Sequence, residues 1–151
     1  MRLSPIEVNP FFEYGDTGIF VQIRYVPDSQ ASEAIDQSTQ VVFDKKHQKS
    51  EKVDGLKFNS KMLKLALVGW KPFARKQLRF LISPDQKLNL DTGETWDDLI
   101  EPTPENIDLV LRNTHVDFKN FVVMAARDAE TFIRAEEAQE IENLRSTSAG
   151  S

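Results

Sequence analysis

Cysteine does not occur in the 151 residues. Its absence excludes a disulfide scaffold, a thiolate zinc site, an iron–sulfur cluster and a cysteine nucleophile, and it is compatible with a reducing cytosol. Histidine is almost as scarce, with His47 and His115 the only two. An imidazole-based metal or acid–base site has to use one of them together with carboxylates. The six glycines are isolated from one another, so no phosphate-cradling loop or dinucleotide fingerprint forms, and neither HExxH nor Gly-x-Ser-x-Gly is present. Long apolar runs are missing too. Stretches such as Leu65-Ala66-Leu67-Val68 stay far below the ~20 residues that span a bilayer. Glu7, Asn9 and Pro10 interrupt the N-terminal segment before an apolar h-region can form. These features predict a soluble, unsecreted chain with no membrane partner. Positive charge is in deficit, with 19 Lys+Arg against 24 Asp+Glu and a net charge of −5. That balance argues against general nucleic-acid binding, where a basic footprint supplies most of the affinity.

What is present reads as one domain. From Gly18 to Val26, Ile19, Val21, Ile23 and Tyr25 alternate with Phe20, Gln22 and Arg24, the period of a half-buried strand. Phe11-Phe12-Glu13-Tyr14 precedes it across Gly15-Asp16-Thr17-Gly18, a hairpin signal. Residues 27–40 are polar without a clear period. Val41-Val42-Phe43 suits a further strand, and the lysine-rich segment 44–55 reads as an exposed loop. A helix capped by Asn59 or Ser60 carries Met62, Leu63, Ala66 and Leu67 on one face and closes at Trp70, before Pro72. Leu78, Phe80 and Ile82 alternate, Ser83-Pro84-Asp85-Gln86 suits a type I turn, and Lys87-Leu88-Asn89-Leu90 alternates again, which predicts a second hairpin.

Thr103-Pro104-Glu105-Asn106 is a helix start: Thr as N-cap, Pro in the first turn, an acid facing the macrodipole. Asn113 closes that helix and Thr114 caps the next, with Asp117 three residues on. Phe118, Phe121, Val122, Ala125, Ala129, Phe132 and Ile133 then recur at steps of three and four, which predicts one helix over 115–144. The expected architecture is α+β: small antiparallel hairpins packed on about three helices, the last of them long. Trp70, Phe118, Phe121 and Val122 are expected in the core. The domain is expected to run over 1–144, followed by a disordered tail over 145–151.

Chemistry-bearing residues are few. Asp97, Asp98 and Glu101 form an acidic cluster, but adjacent aspartates diverge in regular structure and no cationic partner lies beside them in sequence, so a solvated turn is the expectation. His115 beside Thr114 reads as a surface or capping residue, and His47 as exposed. No catalytic residue, cofactor or metal is assigned. The C-terminal stripe is different. Beyond Arg134 it carries Glu136, Glu137, Glu140 and Glu142 with only Ile141 and Leu144 as large apolar residues. An isolated helix of that length is marginal in water. The expectation is that Phe132, Ile133, Ile141 and Leu144 contact a partner or a second copy of the chain, as a homo-oligomer.

The order of these features resembles the tail assembly chaperones of long-tailed bacteriophages. The resemblance rests on the N-terminal hairpin, on Ala66-Leu67-Val68-Gly69-Trp70, and on the helix start Thr103-Pro104-Glu105-Asn106-Ile107. It continues through Phe121-Val122-Val123-Met124-Ala125-Ala126-Arg127-Asp128-Ala129-Glu130-Thr131-Phe132 to Glu142-Asn143-Leu144. It spans residues 11–26 and 58–144; the segment 44–55 and the length between Trp70 and Thr103 have no counterpart in the pattern. The resemblance implies a non-enzymatic protein of the infected host's cytoplasm. Such a protein covers the tape measure protein until the tail tube protein polymerises around it, and it has a longer form made by ribosomal frameshifting. A virion structural protein of the tail or head–tail connector is the alternative.

Overall fold

The computed structural model describes residues 8–83 and 96–149. Strands β1 (Phe11–Glu13) and β2 (Phe20–Ile23) form the expected antiparallel hairpin, with Phe12 opposite Val21. Gly15 and Gly18 in the turn take positive φ values of 52° and 76°, a region that glycine enters without a Cβ penalty. The Thr17 hydroxyl donates to the Tyr14 carbonyl and ties the turn together. Ile19, Val21 and Ile23 are fully buried, as their alternation requires. Each contributes roughly 1.5–3 kcal/mol through burial.

Helix α1 (Asp28–Gln37) follows Pro27 and buries only Ala31 and Ala34, which is why this polar stretch shows so little periodicity. Strands β3 (Thr39–Phe43) and β4 (Lys49–Val53) then make an antiparallel hairpin with Val41 opposite Glu51 and Phe43 opposite Lys49. The segment 44–55 is exposed, as expected, but it is not one loop. It holds the hairpin turn, the whole of β4 and the start of the next helix. The Asp44 carboxylate accepts from the amides of Lys46 and Gln48, each at 2.8 Å, and closes the turn.

Helix α2 (Gly55–Ala66) starts one turn earlier than the sequence suggests, because Asp54 caps it by accepting from the Lys57 amide. Met62, Leu63 and Ala66 face the core. The helix stops at Ala66, and Trp70 belongs to strand β5 (Leu67–Trp70), paired with β2. The three-stranded sheet has the order β1-β2-β5, so β2 is satisfied on both edges. Strand β6 (Phe73–Ala74) pairs with β7 (Leu99–Ile100). The strand expected near 77–82 is instead a 3₁₀ helix over Arg75–Phe80. Gln77 holds it in place, with its side-chain oxygen accepting from Ala74 N and its amide donating to the Thr17 carbonyl. The turn at 84–86 and the strand at 87–90 lie outside the described residues.

Helix α3 (Pro104–Asn113) begins as its sequence dictates, with Thr103 Oγ1 accepting from the Asn106 amide. Helix α4 (Val116–Ala126) is capped by His115 rather than Thr114. Thr114 is buried and its hydroxyl is turned back to the Val110 carbonyl. Phe118, Val122 and Ala126 of α4 are buried, and α4 packs along α2. Phe121 is half-buried, stacked on Tyr14 with ring centroids 5.1 Å apart.

The single helix expected over 115–144 is two. The Ala126 carbonyl, which would accept from Glu130 in a continuous helix, accepts instead from Val26 N at 3.0 Å. The Arg127 guanidinium donates to the Val26 carbonyl and pairs with Asp28. Asp128 then starts α5 (Ala129–Ala149), its carboxylate accepting from the Thr131 amide and hydroxyl. Residues 145–149, expected as disordered tail, continue this helix. The architecture is α+β with a long C-terminal helix.

Candidate functional site

The acid–base candidates are occupied by structural tasks. Asp97 lies in a turn and pairs with Lys76 at 3.0 Å, both side chains solvated. The Asp98 main-chain carbonyl accepts from Arg75 N. No helix puts Asp97 and Glu101 on a common face. His115 uses Nδ1 to accept from the Asp117 amide at 3.1 Å, with the Asp117 carboxylate 3.7 Å away. His47 sits exposed in the β3–β4 turn at a φ of 59°. Among the described residues no three His, Asp or Glu side chains converge where a metal ion could be held. No described helix is long and apolar enough to cross a membrane. The Tyr14 phenol is raised above its usual value by burial and then by the Asp117 carboxylate.

The residues expected to meet a partner divide into two groups. Phe132 is fully buried, its ring 5.6 Å from Phe12 and 5.5 Å from Tyr25. It anchors α5 to the sheet and is not available to a partner, which corrects the sequence expectation. Ile133, Ile141 and Leu144 are 47%, 52% and 68% exposed. At 100° per residue these three lie within about 80° of one another on the helix surface. Glu137 falls inside the same sector, while Glu140 lies about 20° and Glu136 about 60° beyond its Ile133 edge. Ile133 and these three glutamates line a shallow concavity of about 180 Å³. The result is a face that mixes apolar and acidic side chains with nothing packed on it among the described residues.

A second apolar surface went unnoticed in the sequence. The β3–β4 hairpin, α2 and α4 enclose an open groove of about 620 Å³. Val42 and Val53 line it from the hairpin, Leu56 from α2 and Val116 from α4, with Lys52 and Gln40 beside them. All four apolar residues are exposed. The opposite face of the hairpin exposes Val41 and Phe43. The available signal was Val41-Val42-Phe43 and Val53 on either side of a lysine-rich turn, an apolar content that a free loop does not need. Lys45, Lys46, Lys49 and Lys52 make no ion pair among the described residues, nor do Glu136, Glu137 and Glu140.

The fold and surfaces thus define an α+β domain with two separate, unpartnered apolar surfaces. No family model matches the chain, and neither a curated protein nor a solved structure matches it.

Proposed function

We propose that this chain is a non-enzymatic assembly chaperone of a long-tailed bacteriophage, which covers the tape measure protein in the host cytoplasm until the tail tube protein assembles around it. One observation supports this reading most. Two elements, the β3–β4 hairpin and the distal part of α5, project from a filled core with large apolar side chains facing outward. Neither buries enough to account for its own sequence, and each suits contact with another polypeptide. A tape measure protein is a long helical chain that aggregates when bare. A net-acidic protein offering exposed apolar faces can cover such a helix reversibly and keep it soluble. On this reading the outer hairpin face, with Val41 and Phe43 exposed, meets that partner.

The test is co-expression of the chain with the tape measure protein, followed by measurement of the soluble fraction and by copurification. The expected result is a soluble complex that is lost with Val41→Ser/Phe43→Ser. A tape measure protein equally soluble without the chain overturns the proposal. Mass spectrometry of purified particles separates the alternative, since a chaperone is absent from them and a connector or tail subunit is present.

A further inference from the structure

We propose that a cavity on the seam between α1 and α2 binds a small organic phosphate, a phosphomonoester whose body carries hydroxyl or amino donors. This goes beyond the function proposed above and does not depend on it. The two helices pack on each other, and each lends the cavity a stripe at helical spacing, starting from Gln30 on α1 and from Lys61 on α2. The space between the stripes is about 440 Å³. Ala34, buried and small, leaves it open where a larger apolar side chain would fill the seam.

The charge of the lining points to an anion. Arg24, Lys61 and Lys64 face one carboxylate, Glu33, a balance of +2 on a chain whose net charge is −5. Lysines and a glutamate on facing helices usually pair, but here they do not. Gln37 stands between them. Its Nε2 donates to Glu33 Oε1 at 3.2 Å and its Oε1 accepts from Lys61 Nζ at 3.0 Å. The side chains of Arg24 and Lys64 have no ion pair or hydrogen bond among the described residues. A phosphomonoester carries about −1.5 to −2 at pH 7, which matches the balance of the cavity. An arginine fork and a lysine point charge are the side chains that suit its oxygens.

Size and a stranded oxygen point to an ester rather than the bare ion. The cavity falls in the range of small-molecule sites, roughly 300–1,000 Å³, and far exceeds what inorganic phosphate fills. Ala34 and Leu65 give it an apolar wall. Gln30 lines it too, and its Oε1 is buried with no hydrogen-bond donor among the described residues. Such an acceptor costs stability while it stays unpaired. The terminal torsion of glutamine is broad, so the amide can turn this oxygen to the cavity, where a ligand hydroxyl or amino group can donate to it.

Amide chemical-shift titration of the full, isotope-labelled chain reads this out. The probes are adenosine 5′-monophosphate, glucose 6-phosphate, inorganic phosphate, and unphosphorylated adenosine and glucose. At least one ester should saturate a single site with a Kd below about 1 mM. It should bind about tenfold or more tighter than inorganic phosphate or its own neutral parent, and more weakly at high salt. The shifts should centre on the Ala34 amide and the side-chain amides of Gln30 and Gln37. Neither ester binding, inorganic phosphate binding as tightly as the esters, or shifts centred elsewhere overturns the proposal. Arg24→Gln/Lys64→Gln changes two exposed side chains and should raise the Kd by about tenfold or more. Gln30→Met keeps the length of the side chain and removes the unpaired oxygen. It should raise Tm while weakening the ester by about two- to tenfold, a split that a merely structural glutamine would not give. Either variant binding the ester like wild type overturns the assignment.

Discussion

The indole N–H of Trp70 donates to the main-chain carbonyl of Ile100 across 2.9 Å. This bond joins the edge of the three-stranded sheet to β7, and the Trp70 ring also lies 5.7 Å from that of Phe73. Trp70→Phe keeps most of the packing and leaves the carbonyl without its donor, which should destabilise the domain by about 1–3 kcal/mol. Trp70→Ala adds a cavity and should cost about 3–5 kcal/mol. Urea titration measures both, and a Phe variant as stable as wild type would show that the bond adds nothing.

Two phenylalanines three residues apart on α4 should behave differently. Phe118 is fully buried, with Tyr14 against it at 5.2 Å, whereas Phe121 is half-buried and stacked on the same tyrosine at 5.1 Å. Phe118→Ala should destabilise by about 3–5 kcal/mol, and Phe121→Ala by about 1–2 kcal/mol. Equal losses in denaturant titration would place Phe121 in the core after all.

The raised Tyr14 phenol gives a pH signature. Its folded state holds the proton more tightly than the unfolded chain, whose tyrosine ionises near 10.0. Below that value both states are protonated and the contribution to stability is complete. As pH rises through 10 and on to the folded value, the unfolded chain binds fewer protons and stability falls. Tyr14→Phe should flatten this part of the profile. An unchanged slope above pH 10 in the variant would assign the loss to other groups.

Helix α5 should divide at its second turn. Phe132→Ala removes a buried ring and should cost about 3–5 kcal/mol. Truncation after Arg134 removes only surface helix and should shift Tm by less than about 3 °C, the equivalent of under about 1 kcal/mol. Calorimetry at low concentration excludes any contribution from self-association. A large drop on truncation would mean that the distal turns pack on the domain.

The sequence was readable wherever one face of an element is buried. Ile19, Val21 and Ile23 alternate because β2 has a core side and an outer side. Thr103 and Pro104 announce α3 because capping chemistry is local. The β3–β4 hairpin could not be read in the same way. Both of its faces are solvated, so Lys49-Ser50-Glu51-Lys52 has no apolar period to display. Trp70 was misplaced because four apolar residues in a row fit either a helix end or a strand, and pairing with β2 decides between them. The break at Arg127 depends on Val26, about a hundred residues away, although Asp128 with Thr131 three positions on was a legible cap. Phe132 and Ile133 are neighbours with opposite fates, since the first falls beneath Phe12 and Tyr25 and the second does not. The groove joins residues from three elements and has no linear signature.

Anchored at its root by Arg127 on Val26 and Asp28 and by Phe132 on Phe12 and Tyr25, α5 is a cantilever. From Ile133 to Ala149 it extends about 24 Å. A tilt of roughly 10° at the root therefore carries its tip about 4 Å sideways, with no hydrogen bond in the helix broken. Such an arm sweeps the exposed Ile141 and Leu144 over a range of positions while the core beneath Phe132 stays fixed.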